Sequence, residues 1–108
     1  MAFDGQTGQA AYAASKGGVA ATTLPGACDL SVFGTWLNTV APTLIDIPIY
    51  GDGEGAEEFN AYLGRSVLFP KRLGSSDEIA SMVMERVTNS CLDAEAIRVG
   101  GGMRLPTK

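Results

Sequence analysis

The 108-residue sequence contains no histidine and only two cysteines, which excludes several kinds of catalytic and metal site. Without histidine the chain cannot form a Ser-His-Asp or Cys-His nucleophilic arrangement, and it lacks the imidazole ligands of most zinc sites. Cys28 and Cys91 stand far apart and form no CxxC motif. We therefore expect two reduced, partly buried thiols rather than a disulfide framework.

Basic residues and long apolar runs are also scarce. Eight basic residues against 12 acidic ones give a net charge of −4, whereas binding to nucleic acid relies on clustered Lys and Arg. No apolar run approaches the ~18 residues of a membrane-spanning helix, and residues 1–5 have neither the basic nor the apolar region of a signal peptide. We therefore expect neither nucleic acid nor a membrane as a partner.

The first third of the chain predicts a long helix over residues 9–33. Ala10, Ala14 and Gly18 recur every fourth residue, so they give this helix one face of small side chains that would let a second helix approach closely. Pro25 should bend or break the helix, because proline has no backbone N–H to donate.

The remainder of the chain predicts a β-α-β unit. Ser75 and Glu78 have the spacing of a capping box, which predicts a helix that begins at residue 76 and, from its apolar periodicity, continues to residue 88. A strand before this helix and a strand after it favour a parallel pair with a right-handed crossover. Because two strands are few for a parallel sheet, the sequence resembles a portion of a larger α/β sheet. The other predicted elements are a strand over residues 35–41, ended by Pro42, a short helix over residues 56–63 and a strand over residues 96–99.

Tyr12 and Lys16 are the residues with the clearest chemistry. They are four positions apart on the predicted helix, so they share a face. A lysine ammonium close to a phenol stabilises the phenolate, and such a tyrosine can exchange a proton with a hydroxyl or a carbonyl. Tyrosine and lysine also fall four apart by chance in many chains, so the alternative is a solvated surface pair.

Four blocks around this pair resemble the short-chain dehydrogenase/reductase family, in the family's order and spacing. Residues 8–19, GQAAYAASKGGV, resemble its active-site helix, and residues 37–42, LNTVAP, resemble the strand end that follows. Residues 73–80, LGSSDEIA, resemble the opening of its last long helix, and residues 97–102, IRVGGG, resemble its final strand and glycine turn. Residues 69–74, FPKRLG, point to a branch that oxidises 3-hydroxyacyl-CoA.

This resemblance implies both a fold and an activity. The fold would be α/β, the C-terminal portion of a Rossmann-type doubly wound parallel sheet, with residues 1–108 as one partial domain that lacks the N-terminal nucleotide-binding part. The activity would be that of an NAD(P)-dependent oxidoreductase that interconverts a secondary alcohol and a ketone. NAD is the expected cofactor, a small alcohol or an acyl-CoA the expected substrate, and a homo-oligomer the expected assembly. We expect a cytoplasmic location, and the family leaves a mitochondrial one open.

The resemblance also implies residue roles. Tyr12 would be the general base for alcohol oxidation, and Lys16 would assist it and hydrogen-bond the ribose next to the nicotinamide. A loop over residues 47–68 would close over an acyl chain as an apolar lid, although its apolar residues could equally pack against the helices. The lid residues would be Tyr50, Phe59, Leu63 and Leu68, and the cofactor-binding residues would be Tyr12, Lys16, Pro42, Leu44, Ile45 and Ile47.

Several positions depart from the family pattern. The glycine-rich pyrophosphate turn and the catalytic serine are not in the sequence, and Ile47 stands in place of a threonine that hydrogen-bonds the cofactor. Thr43 stands in place of a glycine, Gly100 in place of an aspartate and Cys28 in place of an arginine. These departures predict that the chain alone is inactive. The alternative is a non-catalytic interaction fragment or degenerate paralogue that pairs through its small-residue helix face and an open strand edge.

Overall fold

The computed structural model describes residues 2–48 and 55–106. Its two strands pair in parallel, with Thr39 opposite Ala96 and Pro42 opposite Val99, so the predicted β-α-β unit is confirmed. The fold is α/β, as expected for a C-terminal portion of a Rossmann-type sheet. In chain order the elements are α1 (Ala10–Ala21), α2 (Thr23–Ser31), β1 (Thr39–Pro42), α3 (Ala56–Gly64), α4 (Ser76–Thr88) and β2 (Ala96–Val99).

The predicted helix over residues 9–33 is two helices, and its interruption lies at Thr22 rather than at Pro25. Pro25 is the third residue of α2, in the first turn, where backbone N–H groups have no partner within a helix. The missing N–H therefore costs α2 nothing. Helical hydrogen bonds continue across the junction, because Thr22 N donates to Gly18 O at 3.0 Å and Gly26 N donates to Thr22 O at 3.0 Å.

The strand predicted over residues 35–41 is shorter and shifted, since β1 covers only Thr39–Pro42. The residues before it bond to the irregular segment after α4: Leu37 N donates to Asp93 Oδ1 at 2.9 Å, and Asn38 Nδ2 donates to Leu92 O at 2.7 Å. Pro42 is the last residue of the strand instead of the first residue after it. The backbone N–H groups of residues 39 and 43 point to the β2 side, so the nitrogen of Pro42 faces the other edge, where no donor is needed.

The helix α4 begins as its capping box predicts. Ser75 Oγ accepts from Glu78 N at 3.3 Å, and Glu78 Oε2 accepts from Ser75 N at 2.8 Å. Glu78 also receives two hydrogen bonds from Arg72, and these lower the pKa of its carboxyl to about 2. The exposed Arg72–Glu78 pair therefore joins the preceding loop to the first turn of α4.

Close contacts hold α2 and α4 against β1. The hydroxyls of Thr23 and Thr39 lie 2.7 Å apart, and a Cβ on Gly26 would come within 2.6 Å of a methyl of Leu37. From α4, the buried Arg86 donates to the side-chain oxygen of Asn38 at 2.7 Å. The buried apolar residues are Ala27, Ile45, Val67, Leu73 and Met103.

The expectation of partly buried thiols is wrong, because Cys28 and Cys91 are free and exposed. Cys28 directly follows the buried Ala27, and neighbouring helix residues point about 100° apart, so Cys28 faces away from the core. Cys91 lies in the turn after α4, where its backbone N–H donates to the Asn89 side chain. No helix in the described ranges is long and apolar enough to cross a membrane.

Candidate active site

One open groove of about 770 Å³ runs along the carboxyl end of β1. Its walls come from the first residues of the described chain, from α1, from β1 and the segment after it, from the start of α4 and from the end of β2 and beyond. All of the residues predicted to catalyse the reaction or bind the cofactor line it. These are Tyr12, Lys16, Pro42, Leu44, Ile45 and Ile47.

Tyr12 and Lys16 sit on the first turns of α1 and face the groove together. The Lys16 ammonium lies over the Tyr12 ring, with Nζ 5.4 Å from the ring centre, within the range of a cation–π contact. The Tyr12 side chain is 49% exposed. The pair is therefore accessible from the groove, and the same helix face that makes the two residues neighbours presents them to it.

The segment after β1, residues 43–47, is held from two sides. Thr43 N donates to Val99 O at 3.1 Å, which extends the β1–β2 pairing by one residue. Further along, Gly74 N donates to Leu44 O at 3.0 Å, and Asp46 N donates to Gly74 O at 2.8 Å. This parallel bridge between Ile45 and Gly74 holds residues 43–47 against the residues that precede α4. Ile45 is buried by it, whereas Ile47 stays partly exposed in the groove.

An ion pair that the sequence did not predict closes one wall of the groove. Arg98 on β2 donates two hydrogen bonds of 2.9 Å to the two carboxylate oxygens of Asp4, and a third of 2.9 Å to Met103 O. The Arg98 guanidinium also lies 5.7 Å from the Phe3 ring centre. The partners are 94 positions apart, so no local spacing could reveal them. The pair ties the N-terminal segment to β2 and to the residues after it.

The Asp4 carboxylate is well shielded, and its charge is stabilised. Its side chain is only 5% exposed, and that of Arg98 is 19% exposed. Hydrogen bonds from Arg98 hold the pKa of Asp4 below its ordinary value, against the opposing effect of burial. Charge-assisted bidentate bonds of this kind are among the stronger polar contacts in proteins.

The lid residues that the structure describes do not line this groove. Phe59, Leu63 and Leu68 do not line it, and Tyr50 lies outside the described residues. The backbone of Leu68 instead donates to Gly101 O at 3.0 Å, so this part of the loop packs on the turn that follows β2. Within the described ranges no cluster of three or more cysteine or acidic side chains is placed to bind a metal ion.

Relatives with known names match nearly the whole chain. 3-Hydroxyacyl-CoA dehydrogenase type-2 of Drosophila melanogaster is 43% identical over 104 residues, which are 96% of this chain and 40% of that protein. The Homo sapiens protein of the same name is 42% identical over 96% of this chain and 39% of its own length. A crystal structure of 3-hydroxyacyl-CoA dehydrogenase type-2 from Mycobacterium avium aligns with a TM-score of 0.89 and 39% identity, over 99% of this chain and 40% of that one. No family model matches the sequence.

The fold and these matches define the class: the chain has the sequence and the fold of the C-terminal part of a short-chain dehydrogenase/reductase. Within that class, the relatives that it matches are 3-hydroxyacyl-CoA dehydrogenases type-2. This agrees with the branch that residues 69–74 indicated. The chain spans about 40% of the length of these relatives.

We predict that Asp4→Asn destabilises the fold by about 1–2 kcal/mol at neutral pH, because it removes a charge-assisted bidentate contact. The pKa of Asp4 is lowered by folding, so its contribution is present above the unfolded pKa and is lost as the pH falls below about 4. Urea unfolding at pH 7 and at pH 3 should therefore show a difference between wild type and variant that shrinks at the lower pH. Asp29→Asn, on the exposed side of α2, is the control and should have little effect. An Asp4→Asn variant as stable as wild type at pH 7 would contradict the assignment.

Proposed function

We propose that this chain forms the catalytic side of an NAD-dependent oxidoreductase site that oxidises a secondary alcohol, with a 3-hydroxyacyl-CoA as the substrate class. The observation that carries the proposal is the shared groove, in which Tyr12 and Lys16 face the segment of residues 43–47. The similarity to 3-hydroxyacyl-CoA dehydrogenases type-2 supports the substrate class. Because the chain spans about 40% of their length, the proposed activity is that of an assembled site rather than of this chain alone.

The groove fits one end of the cofactor. Leu44 and Ile47 would give an apolar surface for the flat nicotinamide, and Lys16, in the same groove, would supply a cation and hydrogen-bond donor to the adjoining ribose. Ile47 has no polar side-chain atom, so it cannot replace the threonine bond that the family uses. The residues at the groove therefore fit the nicotinamide end, and nothing along them resembles a glycine-rich cradle for the pyrophosphate.

The proton chemistry would belong to Tyr12. Its phenolate would accept the hydroxyl proton of the substrate alcohol, and in the reverse direction the phenol would return that proton to the carbonyl oxygen. Lys16, one turn away, places its positive charge over the Tyr12 ring. Bound NAD would supply the acceptor for the hydride that leaves the carbinol carbon.

We predict that Tyr12→Phe lowers kcat by about 10²–10⁴-fold in an active hybrid, because phenylalanine keeps the ring and removes the proton-transferring oxygen. The hybrid joins the portion of the Drosophila relative that precedes the matched region to this chain. Oxidation of a 3-hydroxyacyl-CoA is followed by NADH absorbance. Tyr62→Phe is the matched control, since Tyr62 lies exposed on α3 and does not line the groove. Retention of most of the rate by Tyr12→Phe would show that the mechanism is wrong.

A second proposed property is self-association, which also underlies the alternative of a non-catalytic interaction fragment. Ala10, Ala14 and Gly18 are all exposed on α1, as are Val32 (80%) and Phe33 (77%) at the end of α2. Burying apolar surface is worth about 25 cal/mol per Å², so covering several hundred Å² favours association by several kcal/mol before entropic costs. A net charge of −4 opposes this only weakly, because salt screens charges beyond ~8 Å.

We predict that the purified chain is oligomeric at tens of micromolar and that Ala14→Leu shifts it towards monomer, because the larger side chain prevents close helix approach. Multi-angle light scattering measures the mass directly. Ala61→Leu makes the same change at an exposed position on α3 and should leave the mass unchanged. A cooperatively melting monomer would contradict this proposal, and so would an Ala14→Leu variant that loses stability without any change in association.

A further inference from the structure

Gly100 is the first of three consecutive glycines, and it differs from the other two in its backbone. Gly101 and Gly102 have φ angles of 56° and 74°, in the left-handed region that favours glycine, whereas Gly100 does not. Backbone conformation thus explains two of the three glycines. At Gly100 the reason is steric. A Cβ added there would overlap three side-chain atoms of Thr43, with the Thr43 Cβ at 2.6 Å.

Thr43 occupies that space with a defined set of bonds. Its backbone N donates to Val99 O at 3.1 Å, and its hydroxyl donates to Gly100 O at 3.3 Å. The side chain can lie this close to the backbone of residue 100 only because Gly100 has no side chain. At the end of the β1–β2 pair, the Thr43 side chain therefore occupies the space that a side chain on Gly100 would need.

The same two positions depart from the short-chain dehydrogenase/reductase pattern in opposite directions. Position 43 has a side chain where that pattern has glycine, and position 100 has glycine where that pattern has a side chain. In this structure the Thr43 side chain lies where the Cβ of a larger residue at position 100 would be. At these two positions the glycine therefore makes room for the threonine side chain.

Thr43 is also the first fixed point of the segment that lines the groove. The second fixed point is Gly74, which bonds to Leu44 and Asp46, and a Cβ on Gly74 would come within 2.8 Å of Ile45 Cδ1. We propose that Thr43, matched to Gly100, is a positioning residue that sets where residues 44–47 lie in the groove. The identity of that segment as the nicotinamide wall rests on the proposed function, but the pairing is tested without any cofactor.

The pairing is tested by exchanging the side chains. Gly100→Ala alone should lower the melting temperature by at least about 5 °C, because its Cβ overlaps Thr43. Adding Thr43→Gly should recover a large part of that loss, since it removes every overlapping atom. Thr43→Ala is the matched control in the same background, and it should rescue less because its Cβ stays 2.6 Å from the new one.

Two results would overturn the pairing: a Gly100→Ala variant that melts like wild type, or a Thr43→Ala rescue as complete as that by Thr43→Gly. If Gly100→Ala does not fold, the double variant decides the question. A folded circular dichroism spectrum for Thr43→Gly/Gly100→Ala supports the pairing, and an unfolded one contradicts it.

Positioning is tested by amide hydrogen exchange in the Thr43→Ala variant of the full chain. Loss of the Thr43 hydroxyl bond should speed exchange at the amides of Asp46 and Gly74 by about fivefold, while the Leu37 amide at the other end of β1 changes little. An equal change at all three amides would mean a purely global effect on stability and would overturn the positioning role. No change at Asp46 and Gly74 would overturn it as well.

Discussion

The parallel pairing of β1 with β2 is the contact on which the site depends. Parallel strands bring their carboxyl ends to the same edge of a sheet, and in open α/β sheets that edge is where ligands bind. Here it brings the segment after Pro42 against the turn after Val99. From this edge the groove extends to Tyr12 and Lys16 on α1, and the Asp4–Arg98 ion pair anchors its N-terminal wall to β2.

Features with local signals were predictable from the sequence. The capping box at Ser75 and Glu78 gave the start of α4 correctly, and the four-residue spacing of Tyr12 and Lys16 gave their common face. The late start of β1 was not predictable, because it follows from tertiary contacts. Leu37 and Asn38 form hydrogen bonds to the segment after α4 and not to a strand partner. The amino-acid types of residues 35–38 do not indicate this pairing.

The candidate site shows the same division. Its six predicted residues are brought together, but the Asp4–Arg98 pair joins positions that no spacing rule connects. Thr43 and Gly100 could be recognised from the sequence only as two departures from a family pattern. Their contact changes the interpretation, since a matched exchange preserves packing where two independent losses would not.

We propose that this chain supplies one side of a cofactor site and that its affinity for NAD depends on the rest of the fold. Calorimetric titration of NAD into the chain alone and into the hybrid with the Drosophila relative tests it most directly. We expect saturable binding by the hybrid and none by the chain below about 1 mM, which corresponds to about −4 kcal/mol. A micromolar Kd for the chain alone, about −8 kcal/mol, would contradict it.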